Sequence, residues 1–173
     1  MDFLNCESRI ASMSDKVSML LVDDEPLIRK SGKWLIENKG FRCIIAGNEA
    51  EAVKKIENGF IPEVALIDFL IPVGNITRER YEGELHGLTG GLRLAKFIQQ
   101  ETNGRCRTIL VTGLMDYRIH AQEGGVWGYC SKPVEDWDLL IEILGKGFLE
   151  SSEMGKPTID VDIEIRKLQG KER

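Results

Sequence analysis

The chain reads as an α/β domain, a doubly wound sheet of five parallel strands with helices on both faces. Three observations predict this. Short apolar runs alternate five times with segments of helical period. The runs are continuously apolar rather than alternating, as strands buried on both faces must be. Acidic, hydroxyl and basic residues collect at the carboxyl ends of the runs, where open parallel sheets bind ligands.

The first run is Met19-Leu20-Leu21-Val22. Pro26 stands where a helix begins, and Leu27, Ile28, Trp34 and Leu35 recur at helical spacing until Gly40. The second run is Cys43-Ile44-Ile45-Ala46. Asn48 with Glu51 three residues on resembles a capping box. Ala52, Val53 and Ile56 follow, and Gly59 ends the helix. The third run, Val64-Ala65-Leu66-Ile67, ends in Asp68, and Leu92, Leu94, Ala95, Phe97 and Ile98 form the next helical face. Ile109-Leu110-Val111 ends in Thr112 and precedes a short helix over 116–123, closed by Gly124-Gly125. The fifth run spans 126–130. Trp137, Ile141, Leu144 and Phe148 mark the last amphipathic helix. Right-handed crossovers join these strands.

Three segments lie outside the alternation. Residues 1–16 are mixed and polar and read as a flexible leader. Residues 73–89 link a strand to a helix, where roughly 2–6 residues are usual. In the tail, 150–173, Ile159, Val161, Ile163 and Ile165 alternate with acidic residues. A period of two predicts an extra strand over 158–165, pairing with a sheet edge; the other reading is a disordered tail.

Bulk properties narrow the function. The chain has 173 residues, 42% hydrophobic and 29% charged, enough for one packed core. A formal net charge of -5 argues against a nucleic-acid scaffold. Four cysteines form no C-x-x-C pair and only two histidines occur, which gives structural zinc little support. Cys43 and Cys130 read as reduced core thiols, and no secretory signal or membrane span is evident. The expected location is therefore the cytoplasm.

Asp23 and Asp24 follow the first run, Asp68 ends the third, Thr112 ends the fourth and Lys132 follows the fifth. The second run ends in Ala46-Gly47 and offers nothing, as the flavodoxin-like order 2-1-3-4-5 requires, since strand two is then an edge. Three carboxylates in one pocket repel, and a bound cation removes that cost. An all-oxygen set with few protein ligands suits Mg2+. Mg2+ with a fixed lysine is what a phosphoryl group in transfer needs, and a carboxylate can be its nucleophile. Gly113 leaves room beside Thr112. Singly, each residue has an ordinary explanation: an acidic N-cap, a strand-closing Thr, a Lys-Pro turn. Their joint placement at one sheet edge is harder to dismiss.

The chain resembles the receiver domains of two-component response regulators, in a stand-alone form. The matching pieces are Leu21-Val22-Asp23-Asp24-Glu25-Pro26, Leu66-Ile67-Asp68-Phe69-Leu70-Ile71-Pro72, Val111-Thr112-Gly113 and Tyr129-Cys130-Ser131-Lys132-Pro133. The resemblance covers residues 17–149, with 73–89 as an extended loop. It implies that Asp68 is the phospho-acceptor and that Asp24 ligates Mg2+ directly. It implies that Asp23 orients metal-bound water and that the Leu70 carbonyl completes the protein's share of the shell. Lys132, before a cis proline bond, would pair with a phosphoryl oxygen. Thr112 would be the switch hydroxyl and Tyr129 the aromatic that moves with it. The implied donor is a sensor histidine kinase or a phosphotransfer protein. The implied output is a switched face that meets a downstream protein, in a chain that is not a dedicated enzyme.

Departures from the pattern add expectations. Residues 73–89 hold Arg78, Arg80, Tyr81 and His86, and read either as a solvated charged loop or as a partner-specific element. Leu70 and Leu114 are apolar two positions beyond Asp68 and Thr112, so the phosphorylated form should be long-lived. No DNA-binding module is recognisable, and oligomeric state is open, with a homodimer among the options. A dehalogenase-type phosphatase would need a second Asp where Leu70 stands. A flavodoxin-type FMN binder would want a hydroxyl- and Gly-rich phosphate loop after the first run, where Asp23-Asp24-Glu25 would repel the FMN phosphate. The remaining alternative is a receiver-like binding module that never takes phosphate.

Overall fold

A computed structural model of the chain describes residues 16–74, 89–113, 125–134, 136–144 and 159–171. Residues 1–15 of the leader, most of the 73–89 loop, the helix expected over 116–123, Leu114, Phe148 and residues 145–158 lie outside the described residues.

In chain order the elements are β1 (Ser18–Val22), α1 (Pro26–Asn38), β2 (Arg42–Ala46), α2 (Glu49–Glu57), β3 (Val64–Asp68) and α3 (Gly90–Glu101). There follow β4 (Arg107–Thr112), β5 (Gly128–Ser131), α4 (Trp137–Glu142), β6 (Ile159–Asp160) and α5 (Val161–Leu168). The strands form one sheet in the order β2-β1-β3-β4-β5-β6, and every pairing is parallel. The predicted order 2-1-3-4-5 is therefore present, with one further strand beyond β5.

Strand periodicity divides the core in two. Leu20, Val22, Ala65 and Ile67 face α2 and α3, whose Ala52, Val53, Ile56, Leu94, Phe97 and Ile98 pack there. Met19, Leu21, Val64 and Leu66 face Ile36 of α1, Leu140 and Ile141 of α4, and Val161 and Ile165 of α5. Both faces being covered explains why the strand interiors are apolar and the polar side chains fall mainly at strand ends. The helix boundaries follow local chemistry. Pro26 opens α1, and Gly40 (φ 89) and Gly59 (φ 94) supply the left-handed turns after α1 and α2. Asn48 accepts from Glu51 N at 2.9 Å, while Glu51 reaches back to Asn48 Nδ2 and to Gly47 N. The capping box is thus present in a variant form, with Gly47 rather than Asn48 supplying the reciprocal backbone donor.

The strand expected over 158–165 is corrected by the structure. Only Ile159 and Asp160 are extended, paired with Gly128 and Tyr129, and the chain is helical from Val161. Asp160 causes the change. Its Oδ1 accepts from Asp162 N (3.1 Å) and Ile163 N (3.2 Å), which satisfies the first turn of α5. Val161 and Ile165, four apart, are then buried on one helical face. A period-two pattern always contains pairs four apart, so so short an alternation fits either structure.

Candidate functional site

Asp68 is the last residue of β3 and 9% exposed; Asp23 follows β1 and is 3% exposed, while Asp24 points to solvent. Carboxylate oxygens of the three lie within 4.8 Å of one another. Lys132, just past β5, reaches in between two of them. Its Nζ stands 2.7 Å from Asp23 Oδ2 and 2.8 Å from Asp68 Oδ2. The Lys132 N–H donates to Thr112 O at 2.8 Å, so the ends of β4 and β5 close on each other, and the Lys132–Pro133 peptide is cis.

Local bonds fix these side chains. Asp23 Oδ1 accepts from Glu25 N at 2.9 Å, and Arg29 Nη1 donates to the Asp23 carbonyl at 2.6 Å. Asp68 Oδ1 accepts from Leu70 N at 3.2 Å, while the Leu70 side chain is 56% exposed beside the pocket. Gly90 and Gly91 let α3 approach the turn after β3. A Cβ at Gly91 would stand 2.4 Å from Asp68 O, and one at Gly90 2.3 Å from Ile71 O. Among the described residues other than its chain neighbours, a Cβ on Gly113 would find nothing nearer than Lys132 Cβ at 3.9 Å, which agrees with the space expected beside Thr112.

Burial pulls the Lys132 pKa down, but its hydrogen bonds and charge pairing with Asp23 and Asp68 outweigh this, and the net shift is upward. One ammonium against three carboxylates leaves the pocket with excess negative charge. All the candidate donors are oxygen, which fits a hard divalent cation such as Mg2+. A cleft of about 380 Å³ opens over Asp23, Asp68 and Lys132, walled by Ile28, Pro133 and Trp137.

Asp23, Asp24, Asp68 and Lys132 are therefore brought together, with Thr112 bordering them half-buried at the end of β4. Tyr129 is buried at 9% exposure, and its hydroxyl donates to Asp160 Oδ2 at 3.0 Å, on the strand added at the edge. The thiols of Cys43, Cys106 and Cys130 are free and buried, and burial pushes Cys43 up to about 12 and the other two further. No described helix is long and apolar enough to cross a membrane.

Several supporting residues were not singled out from the sequence. The adjacent glycines after Thr89 were a visible signal for a close approach. Arg29 and the buried pair Glu49–Arg93 (3.6 Å) gave none, because charged residues on helices are ordinarily solvated.

No family model matches the chain. The chain is similar to the two-component response regulator PprB of Pseudomonas aeruginosa, 29% identical over 128 residues. That match covers 71% of this chain and 41% of PprB, so the chain spans well under half the length of this curated relative. A CheY-like response regulator receiver domain from Methanospirillum hungatei is 28% identical with TM-score 0.59, covering 75% of this chain and 91% of that one. The response regulator TrrA of Thermotoga maritima, solved with Mg2+-BeF, is 27% identical with TM-score 0.56, covering 72% and 93%. The fold is that of response-regulator receiver domains, and the acidic cluster stands where the sheet order places their site.

Proposed function

We propose that the chain is a phospho-accepting response regulator of a two-component or phosphorelay system, with Asp68 as the acceptor. The observation that carries this is the Lys132 ammonium held 2.8 Å from Asp68 Oδ2, with Asp23 and Asp24 beside it. A structural salt bridge needs one partner. A lysine shared by two buried carboxylates, under an open cleft, is arranged to meet added negative charge.

In the reaction an Asp68 oxygen attacks the phosphorus of a phosphohistidine on a sensor kinase or phosphotransfer protein. The O–P bond forms as the N–P bond breaks. The imidazole keeps the electron pair and takes up a proton. Lys132 turns from the carboxylates to a phosphoryl oxygen, and the Thr112 hydroxyl donates to another. Asp24, Asp68 and the Leu70 carbonyl would hold Mg2+, with Asp23 acting through water. When bound, the ion supplies charge neutralisation for the transferring group. The new contacts at Thr112 and Lys132 bias a protein-binding face, so the chain acts as a signal carrier rather than a dedicated enzyme. Its unpaired buried thiols suit a cytoplasmic setting.

Incubation with acetyl phosphate and Mg2+ should add one phosphoryl group by intact mass, and Asp68→Asn should add none. A wild-type chain that gains no mass, or a variant that does, overturns the assignment in favour of a binding module that never takes phosphate.

A further inference from the structure

The segment beyond β5 is tied to the strand that carries Lys132, and the ties fall on that lysine's near neighbours. Tyr129 OH donates to Asp160 Oδ2 (3.0 Å), three positions before Lys132. Asp162 accepts from Ser131 N (2.9 Å), the residue adjacent to Lys132, and from Ser131 Oγ, with Cys130 Sγ at 3.3 Å from its Oδ1. Asp160 does two jobs with its two oxygens, since Oδ1 caps the first turn of α5. Away from β5 the segment is held by Val161 and Ile165 in the core and by Gln169 Nε2 to Asp136 Oδ2 at 3.0 Å.

We infer that Asp160 and Asp162 are switch residues: segment 159–171 is docked on β5 in the unphosphorylated protein and loosens when Asp68 is phosphorylated. The inference rests on the phospho-acceptor reading. Three physical effects set its direction. The Tyr129 hydroxyl has one proton, given to Asp160, so any rearrangement of Tyr129 with Thr112 takes that bond from the segment. Lys132 is bonded through its own N–H to Thr112 O and follows Ser131 directly, so a shift of β5 that accompanies new contacts at Thr112 and Lys132 reaches the Ser131 N–H that Asp162 accepts from. Turning the Asp68 carboxylate into an acyl phosphate adds about one negative charge at the carboxyl end of the sheet, the end at which the docked segment carries Asp160, Asp162 and Glu164. Loosening frees the β5 edge and the Val161–Ile165 face together.

Hydrogen exchange of the amides in α5 tests this on the full chain, treated with acetyl phosphate and Mg2+ while intact mass reports phosphoryl gain. Exchange over 161–168 should be at least about tenfold faster in the phosphorylated protein, as loss of more than one tether gives. Tyr129→Phe, which keeps the ring, should raise it about fivefold without any phosphate. A chain that gains the phosphoryl group with unchanged or slower exchange overturns the switch and leaves the acceptor reading standing. Failure to gain it overturns the acceptor reading and the switch together. Unaltered exchange in unphosphorylated Tyr129→Phe removes Asp160 from the role.

Discussion

The acidic pocket and the carboxyl-terminal segment share strand β5 and are built in opposite ways. The pocket joins residues far apart in sequence: Lys132 and Asp23 are 109 positions apart and meet at 2.7 Å. Each side chain there stands at a strand end, placed by backbone pairing across four strands. The segment is local by comparison. Asp160 caps amides two and three positions on, and two buried side chains four apart anchor the helix. The difference teaches what each region can lose. A pocket set by the sheet keeps its shape when one side chain goes and loses chemistry instead. A segment set by a few side chains keeps the chemistry beside it and loses its docking.

Three substitutions can break or sharpen that contrast. The largest effect is expected for Lys132→Ala. Phosphorylation by acetyl phosphate should slow about 100-fold, in line with removing one preorganised charge-stabilising donor. The exchange protection of α5 without phosphate should stay as in wild type. A rate within a few-fold of wild type would remove Lys132 from the transfer. Ile165→Ala is the converse. Truncating a side chain 4% exposed should destabilise docking by about 2–3 kcal/mol. Limited proteolysis should then cut 159–171 first, with Asp68 still accepting phosphate at the normal rate. A single shifted unfolding transition with no early cleavage would show that the two regions are one cooperative unit. The smallest effect belongs to Leu70→Asn, whose side chain sits exposed beside Asp68. An amide there can hold an attacking water, and one hydrogen bond of about 1 kcal/mol should speed phosphoryl decay by less than about tenfold. Equal or slower decay would show that the apolar side chain does not set the lifetime.

The same contrast explains what could be read in advance. Val64–Asp68 was legible to the residue, because an unbroken apolar run ending in a carboxylate has one reading in a parallel sheet. The β4 and β5 limits shifted by about two residues. Arg107 and Thr108 are polar yet buried at the start of β4, where Arg107 lies over the Trp127 ring at 5.8 Å. The 158–165 stretch misled because its apolar spacing suits both periods, and the deciding agent was one carboxylate with two local amides to satisfy.

Residue type and order by themselves determined the alternating α/β plan, the sheet order of the first five strands, and the set Asp23, Asp24, Asp68, Thr112 and Lys132. These follow from chain-local physics: apolar runs must be buried, crossovers are right-handed, and polar residues at strand ends share one edge. Only the tertiary structure decided that Lys132 bridges Asp23 and Asp68, that Gly91 must lack a side chain above Asp68 O, and that Tyr129 is bonded to a helix cap. Each of these is a distance between residues remote in the chain. Such distances arise from the packing of whole elements and leave no periodic trace in the segments that make them.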